Sequence, residues 1–221
     1  MGTANQLRRM LVDSPVSLGA KARMRRWQIF RNAFPDIENM RLLDLGGTVE
    51  TWNRAPVRPK HVTVLNLLEP GESDSDWIVP VAGDACNAAA VLADANVETT
   101  FDVVFSNSLI EHVGGHARRS ELASQVQALA PRHWVQTPYR YFPLEPHWLF
   151  PGMQFLPVAV RVKIAAHWPL VHTRPANVEE ARNEVLWTEL VSVTEMREYF
   201  PGSTILRERV LGLPKSLIAL C

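Results

Sequence analysis

The 221-residue sequence predicts an α/β fold, a seven-stranded and mostly parallel sheet with helices on both faces and an antiparallel hairpin at its end. Three observations predict it. Short apolar runs ended by turn residues recur at 41–47, 61–67, 77–81, 101–107 and 132–138. Helical stretches fall between them, and strands that alternate with helices form parallel sheets covered on both faces. Two β-rich runs then follow each other at 203–213 and 216–221, close enough to pair antiparallel through a short turn at Pro214-Lys215.

Residues 1–40 read as a helical cap. They are basic, with Arg8, Arg9, Lys21, Arg23, Arg25, Arg26 and Arg31 against the single acid Asp13 before residue 36. Trp27, Phe30 and Phe34 recur at helical spacing and mark a core face. The arginine face is solvated in one reading and meets a phosphate or an acidic acceptor, or forms a lid, in another. The main domain spans 41–221. RLLDLGG (41–47) is a buried strand entering a glycine turn, HVTVLNL (61–67) a second strand, and WIVPV (77–81) a weaker third followed by Gly83-Asp84. FDVVFSN (101–107) and RHWVQTP (132–138) complete the parallel set, with helices at about 48–55, 85–95 and 117–130 between them. After Pro138 the alternation breaks into an aromatic-rich insertion, about 139–185, with an apolar helix at 155–168 and a polar one at 177–185. A helix at 193–199 returns the chain to the sheet.

Composition narrows the function. At 47% hydrophobic and 21% charged the chain is an ordinary globular protein, not a disordered one. Lys+Arg and Asp+Glu both number 23, so no net field draws it to nucleic acid or lipid, and no aromatic stacking platform for RNA is visible. Two cysteines, Cys86 and Cys221, are too few for a disulfide scaffold and wrongly spaced for zinc. The first 27 residues lack the apolar core of a secretory signal. The apolar stretch 149–171 is interrupted by Arg161, Lys163 and His167, which argues against membrane insertion. A cytoplasmic location is the expectation.

The chemistry-bearing residues follow the strands, where ligands of such sheets bind. Asp44-Leu45-Gly46-Gly47-Thr48 opens a helix after the first strand, a turn that lets a ligand lie against the backbone. Asn66 and Leu67 end the second strand, Gly83-Asp84-Ala85 follows the third, and Ser106-Asn107-Ser108 with Glu111-His112 follows the fourth. In this order and spacing, DLGGT (44–48), VLNL (64–67), GDA (83–85), FDVVFSNSLIEHVG (101–114) and LGLPKSLIA (211–219) resemble the class I S-adenosylmethionine-dependent methyltransferases over about 40–221. The resemblance implies a Rossmann-like sheet and S-adenosylmethionine as cofactor. It places Asp44, Gly46 and Gly47 at the methionine moiety, Asn66 at the ribose, Asp84 and Ala85 at the adenine and Asn107 near the sulfonium. Leu45, Thr48, Leu67, Ser106 and Ser108 join the cofactor-binding set. Two departures stand out: Thr48 and Glu50 occupy later glycine positions of the turn, and Asn66 replaces the acid that grips the ribose. An amide accepts a hydrogen bond without the charge, so weaker cofactor binding is expected. The same departures speak against a nicotinamide dehydrogenase.

The segment TPYRYFPLEPHWLFPG (137–152) sits at the rim after the fifth strand. Methyl transfer to a hydroxyl needs the oxygen held in line and its proton removed or shared. Glu145 and His147, facing Glu111 and His112, supply two carboxylates and two imidazoles, with His147 as base or orienting group. The structural alternatives are a turn-capping Glu111 and a packed His147. The same four residues could gather a divalent cation such as Mg2+. Tyr139, Tyr141 and Trp148 suit a sugar-binding wall or a plain apolar cover. The segment resembles that of actinobacterial enzymes that methylate saccharides, which implies a small-molecule acceptor of the methylmannose oligosaccharide kind. A phenolic or carboxylate acceptor, and a non-catalytic cofactor-binding domain, are the alternatives. The 155–168 helix reads as an acceptor cover or a homodimer face.

Overall fold

The protein is described by a computed structural model over residues 17–171 and 174–221. The expectations for Arg8, Arg9 and Asp13 lie outside these residues.

Helix α1 (Leu18–Ala33) starts where the Ser17 hydroxyl accepts from the Ala20 N–H. A 3-10 turn (Ile37–Asn39) leads to strand β1 (Arg41–Leu45). Helix α2 (Val49–Asn53) is only five residues long and is capped by Thr48, whose extended φ of −136° needs no glycine. Strands β2 (His61–Asn66) and β3 (Ile78–Ala82), helix α3 (Ala88–Asp94), strand β4 (Val103–Asn107), helix α4 (His116–Leu129) and strand β5 (Arg132–Pro138) continue the alternation. The insertion holds a two-residue-per-strand ladder, β6 (Leu144–Glu145) and β7 (Phe150–Pro151), then helices α5 (Val158–His167) and α6 (Val178–Trp187). Helix α7 (Val193–Tyr199) opens with a capping box between Ser192 and Glu195, and strands β8 (Thr204–Val210) and β9 (Leu213–Leu220) end the chain.

The seven-stranded sheet has the order β3-β2-β1-β4-β5-β9-β8. Its first five strands are parallel, and β9 is antiparallel to both β5 and β8. The order reverses between β1 and β4, so the crevice at the carboxyl ends of those two strands is the switch point where such sheets bind ligands. One apolar core lies under α3, α4 and α7. The other lies under α1 and α2, where Phe30 and Phe34 are fully buried and Trp27 stacks on Phe105 at 5.6 Å and 5°. Trp148, Met153, Val162, Ala165, Ala181 and Val185 make a third, within the insertion.

The hairpin turn corrects one expectation. The connection is Leu211-Gly212, not Pro214-Lys215: Val210 pairs with Leu213, and Leu211 and Gly212 have φ of +50° and +81°. Two consecutive positive φ values fit the right-handed twist of a two-residue hairpin. Pro214 lies inside β9 opposite Arg209, next to a β-bulge and beyond the stretch paired with β5, where its missing N–H is tolerated.

Candidate active site

The glycine turn is built around Asp44, which is buried at the end of β1. Its Oδ2 accepts from the Trp52 indole at 2.7 Å, while Oδ1 has no partner among the described residues. Burial pushes this carboxyl up to about 7, only partly opposed by the Trp52 bond. Gly46 holds φ +85°, and a Cβ on Gly47 would lie 1.7 Å from the Asp44 carboxylate. Both positions therefore need glycine, one for its backbone and the other for lack of room.

Asn66 braces this turn. Its amide donates to the carbonyls of Gly46 and Gly47 at 3.2 and 2.8 Å, and its oxygen accepts from Leu68 N–H. Leu67 is exposed, and Leu45 is buried with its carbonyl accepting from Ser106. Asp84 caps the turn at Ala85–Asn87 and pairs with Arg118 at 2.5 Å. Burial raises the Asp84 carboxyl, but Arg118 and the Cys86 N–H outweigh it and hold it below the usual carboxylate range. Ala85 is buried beside it. Asn107 accepts from the Trp134 indole at 3.2 Å, and Ser108, at φ +55°, bonds Gln136.

Four residues converge at the carboxyl ends of β4 and β5. A 3-10 turn (Ile110–His112) carries Glu111 and His112, strand β6 carries Glu145, and the loop from β6 to β7 carries His147. The Glu145 Oε1 lies 2.6 Å from His147 Nδ1, and its Oε2 accepts from the N–H groups of His147 and Trp148. The other ring nitrogen, His147 Nε2, faces His112 Nε2 at 3.1 Å. His112 Nδ1 approaches the Thr188 hydroxyl at 3.4 Å. Glu111 is fully buried, accepts from the Thr137 hydroxyl at 2.9 Å through Oε2, and leaves Oε1 without a partner among the described residues. Ligand atoms of Glu111, His112 and His147 all lie within 4.8 Å of one another.

Charge is unevenly tolerated here. Burial, then the facing His147, pushes His112 down to about 4. Burial also depresses His147, but the Glu145 bond and the charges of Glu145 and Glu111 outweigh it, so its net shift is upward. Burial raises Glu111, with the His147 charge opposing it. The arrangement keeps one imidazole basic and its neighbour neutral.

A cavity of about 430 Å³ opens on this cluster, lined by His112, His147, Trp148, Val171, Asn183, Glu184, Trp187 and Thr188. Trp148 thus reaches the site. Tyr139 and Tyr141 do not line it: they meet edge-to-face at 5.5 Å, and Tyr141 stacks on Phe155 at 5.9 Å. Trp187 and Thr188, at the end of α6, are site residues that no motif in the sequence signals.

No described protein family and no curated protein sequence matches the chain. Solved structures do. DhpI in complex with SAH aligns with a TM-score of 0.54 at 13% identity, covering 99% of this chain and 93% of that one. The N-methyltransferase NodS from Bradyrhizobium japonicum WM9 gives 0.51 at 8% identity, over 90% and 95%. The N-terminal domain of EvdMO1 with SAH bound gives 0.50 at 15% identity, over 99% and 83%. The chain has the Rossmann-like methyltransferase fold. Across the described residues no helix is long and apolar enough to cross a membrane.

Proposed function

We propose that this chain is an S-adenosylmethionine-dependent O-methyltransferase acting on a hydroxyl of a small saccharide. The fold supports the reaction class, and the convergence of Glu111, His112, Glu145 and His147 beside the Trp148/Trp187 cavity is the observation that carries the reading. Aromatic faces next to His112, Asn183, Glu184 and Thr188 suit a sugar, whose C–H faces stack while its hydroxyls hydrogen-bond.

The residues present fit the cofactor. The buried Asp44 Oδ1, which has no partner among the described residues, is an acceptor that a ligand's donor could meet, whereas the space beside Gly46 and Gly47 is filled by Leu109 and by Asp44 itself. Asp44, Gly46 and Gly47 would hold the methionine end, Asp84 and Ala85 the adenine, and Asn107 the region of the sulfonium. S-adenosylmethionine supplies an electrophilic methyl group. The braced Asn66 amide and the Arg118-paired Asp84 each have less to offer a ligand, which favours modest affinity. His147, backed by Glu145, takes the acceptor proton in the metal-free protein, and the neutral His112 holds the second ring in place. The insertion (about 139–185) covers the acceptor. The buried face of α5 is used against α6 and Trp148, which favours the cover over a homodimer face.

Incubation with methyl-labelled S-adenosylmethionine and short mannosides, alongside a phenol, a small acid and bulk RNA, tests this. Label in the mannoside is expected, with at least a hundred-fold loss of rate in His147→Ala. Label in the phenol or acid alone overturns the saccharide. Label nowhere overturns the enzyme.

A further inference from the structure

The His112–His147 contact has a second meaning. Two ring nitrogens 3.1 Å apart must share a proton or a cation, because two lone pairs repel. Transition-metal–imidazole bonds of about 2.0–2.1 Å put two cis nitrogens about 2.9–3.3 Å apart. The rings cross at 84°, so each presents Nε2 to the shared point rather than stacking face to face. A carboxylate oxygen of Glu111 stands in the same group, and the buried Glu111 Oε1 has no partner among the described residues.

The surroundings are those of a supported ligand set. Glu145 accepts from His147 Nδ1–H, which fixes the tautomer that leaves Nε2 free to bind, and its second oxygen is anchored by two backbone N–H groups. A carboxylate behind a ligating histidine is the usual orienting arrangement at metal centres. Thr137 does the same for Glu111 through Oε2, leaving Oε1 as the ligand atom.

We propose that Glu111 Oε1, His112 Nε2 and His147 Nε2 form a binding site for one divalent first-row transition-metal ion, with its open positions turned to the Trp148/Trp187 cavity. The class follows from the donors. Two imidazoles with one carboxylate suit Zn2+, Co2+ or Mn2+, whereas Mg2+ takes oxygen ligands and keeps its waters. Binding displaces the proton between the two nitrogens into solvent and turns His147 from a base into a ligand. An acceptor oxygen entering the cavity would then meet the ion, which makes a bound hydroxyl more acidic. The binding site itself stands whether or not the chain transfers methyl groups.

The test uses the full chain, stripped with chelator and titrated with CoCl2 while visible d–d bands are recorded. One equivalent bound with intense bands is expected, bleached by ZnCl2 and unaffected by millimolar MgCl2. His112→Ala and Glu111→Gln should abolish or strongly weaken the bands, and Glu145→Gln, which keeps every ligand, should weaken affinity about 10- to 100-fold. Near-ultraviolet circular dichroism checks that each variant is folded. Should a variant not fold, paramagnetic shifts of two imidazole resonances in the cobalt-loaded native protein carry the assignment. Absence of stoichiometric cobalt binding, or bands unchanged in a folded His112→Ala protein, overturns the site. Metal binding without methyl transfer would overturn only the proposed reaction, and metal-free methyl transfer without binding only the site.

Discussion

Asp44 shows how one residue can be both a liability and a tool. An aspartate raised from 3.8 to about 7 by burial carries no penalty below about pH 4, where folded and unfolded chains are both protonated. As pH rises the unfolded chain ionises first, and above 7 the folded state is worse off by up to about 4 kcal/mol. Asp44→Asn keeps an acceptor for Trp52 but points an amide at nothing, at a cost of about 1–2 kcal/mol. The variant should therefore be more stable than the native chain by about 2 kcal/mol at pH 8 and less stable at pH 4. Thermal melts at the two pH values check this, and equal shifts at both would count against a buried ionisation. If the proposed cofactor site is right, the same variant should lose affinity for S-adenosylmethionine, whose ammonium group can pair with the carboxylate. Next to it, Gly47→Ala places a methyl where Asp44 Oδ2 lies, so the carboxylate must move and the Trp52 bond must break. A loss of about 1–3 kcal/mol in urea unfolding is expected. The need for glycine at 46 and 47 was legible in the sequence as a turn after a strand. The grip of Asn66 on that turn was not, since an asparagine at a strand end looks the same whether its amide faces a ribose or a carbonyl.

Among the elements, periodicity revealed what packs and misled where turn chemistry decides. The α7 helix and the five parallel strands stand close to where apolar spacing puts them, because each buries a face against the sheet. The final hairpin does not, because Pro214-Lys215 looks like a turn while Leu211-Gly212 does not. Leucine in the left-handed region costs about 1–2 kcal/mol relative to a residue that accepts it, and Leu211 is almost wholly exposed, so packing offers no compensation. Leu211→Asn supplies the residue this turn prefers and should stabilise the protein by about 1 kcal/mol, read as a rise in thermal midpoint of several degrees. An unchanged or lower midpoint would mean that the hairpin tip takes another conformation in solution. The site was legible only in part. Glu111-His112 and Glu145-x-His147 were visible as facing pairs, whereas Thr188 and Trp187 join them only because α6 ends there.

At the scale of the whole molecule, the insertion must be fixed to the sheet for these residues to meet at all, and two arginines do it. Arg119 on α4 is 2% exposed, with its guanidinium donating to the carbonyl of Ile110 at 3.3 Å and to the carbonyl and carboxylate of Glu189 at 2.9 and 2.8 Å. It therefore joins the turn that carries Glu111 and His112 to the chain leaving Thr188. Arg140, at the other root of the insertion, donates to the Leu190 carbonyl at 2.7 Å and to Glu195 at 2.9 Å. A backbone bond from Glu189 N–H to the Glu111 carbonyl closes the same seam. The carbonyls matter more than the charge, because Glu189 is half exposed and an exposed ion pair contributes little. Glu189→Gln should thus be nearly neutral in urea unfolding. Arg119→Ala, which empties a buried volume and strands two carbonyls, should cost roughly 3 kcal/mol. Arg119→Lys keeps the charge but not the fork, and one ammonium cannot serve both sides of the seam. It should lose about 1–2 kcal/mol, and the proposed methyl transfer should fall further than that because His112 drifts from His147. If Glu189→Gln proves as damaging as Arg119→Lys, the seam is held by charge rather than by geometry.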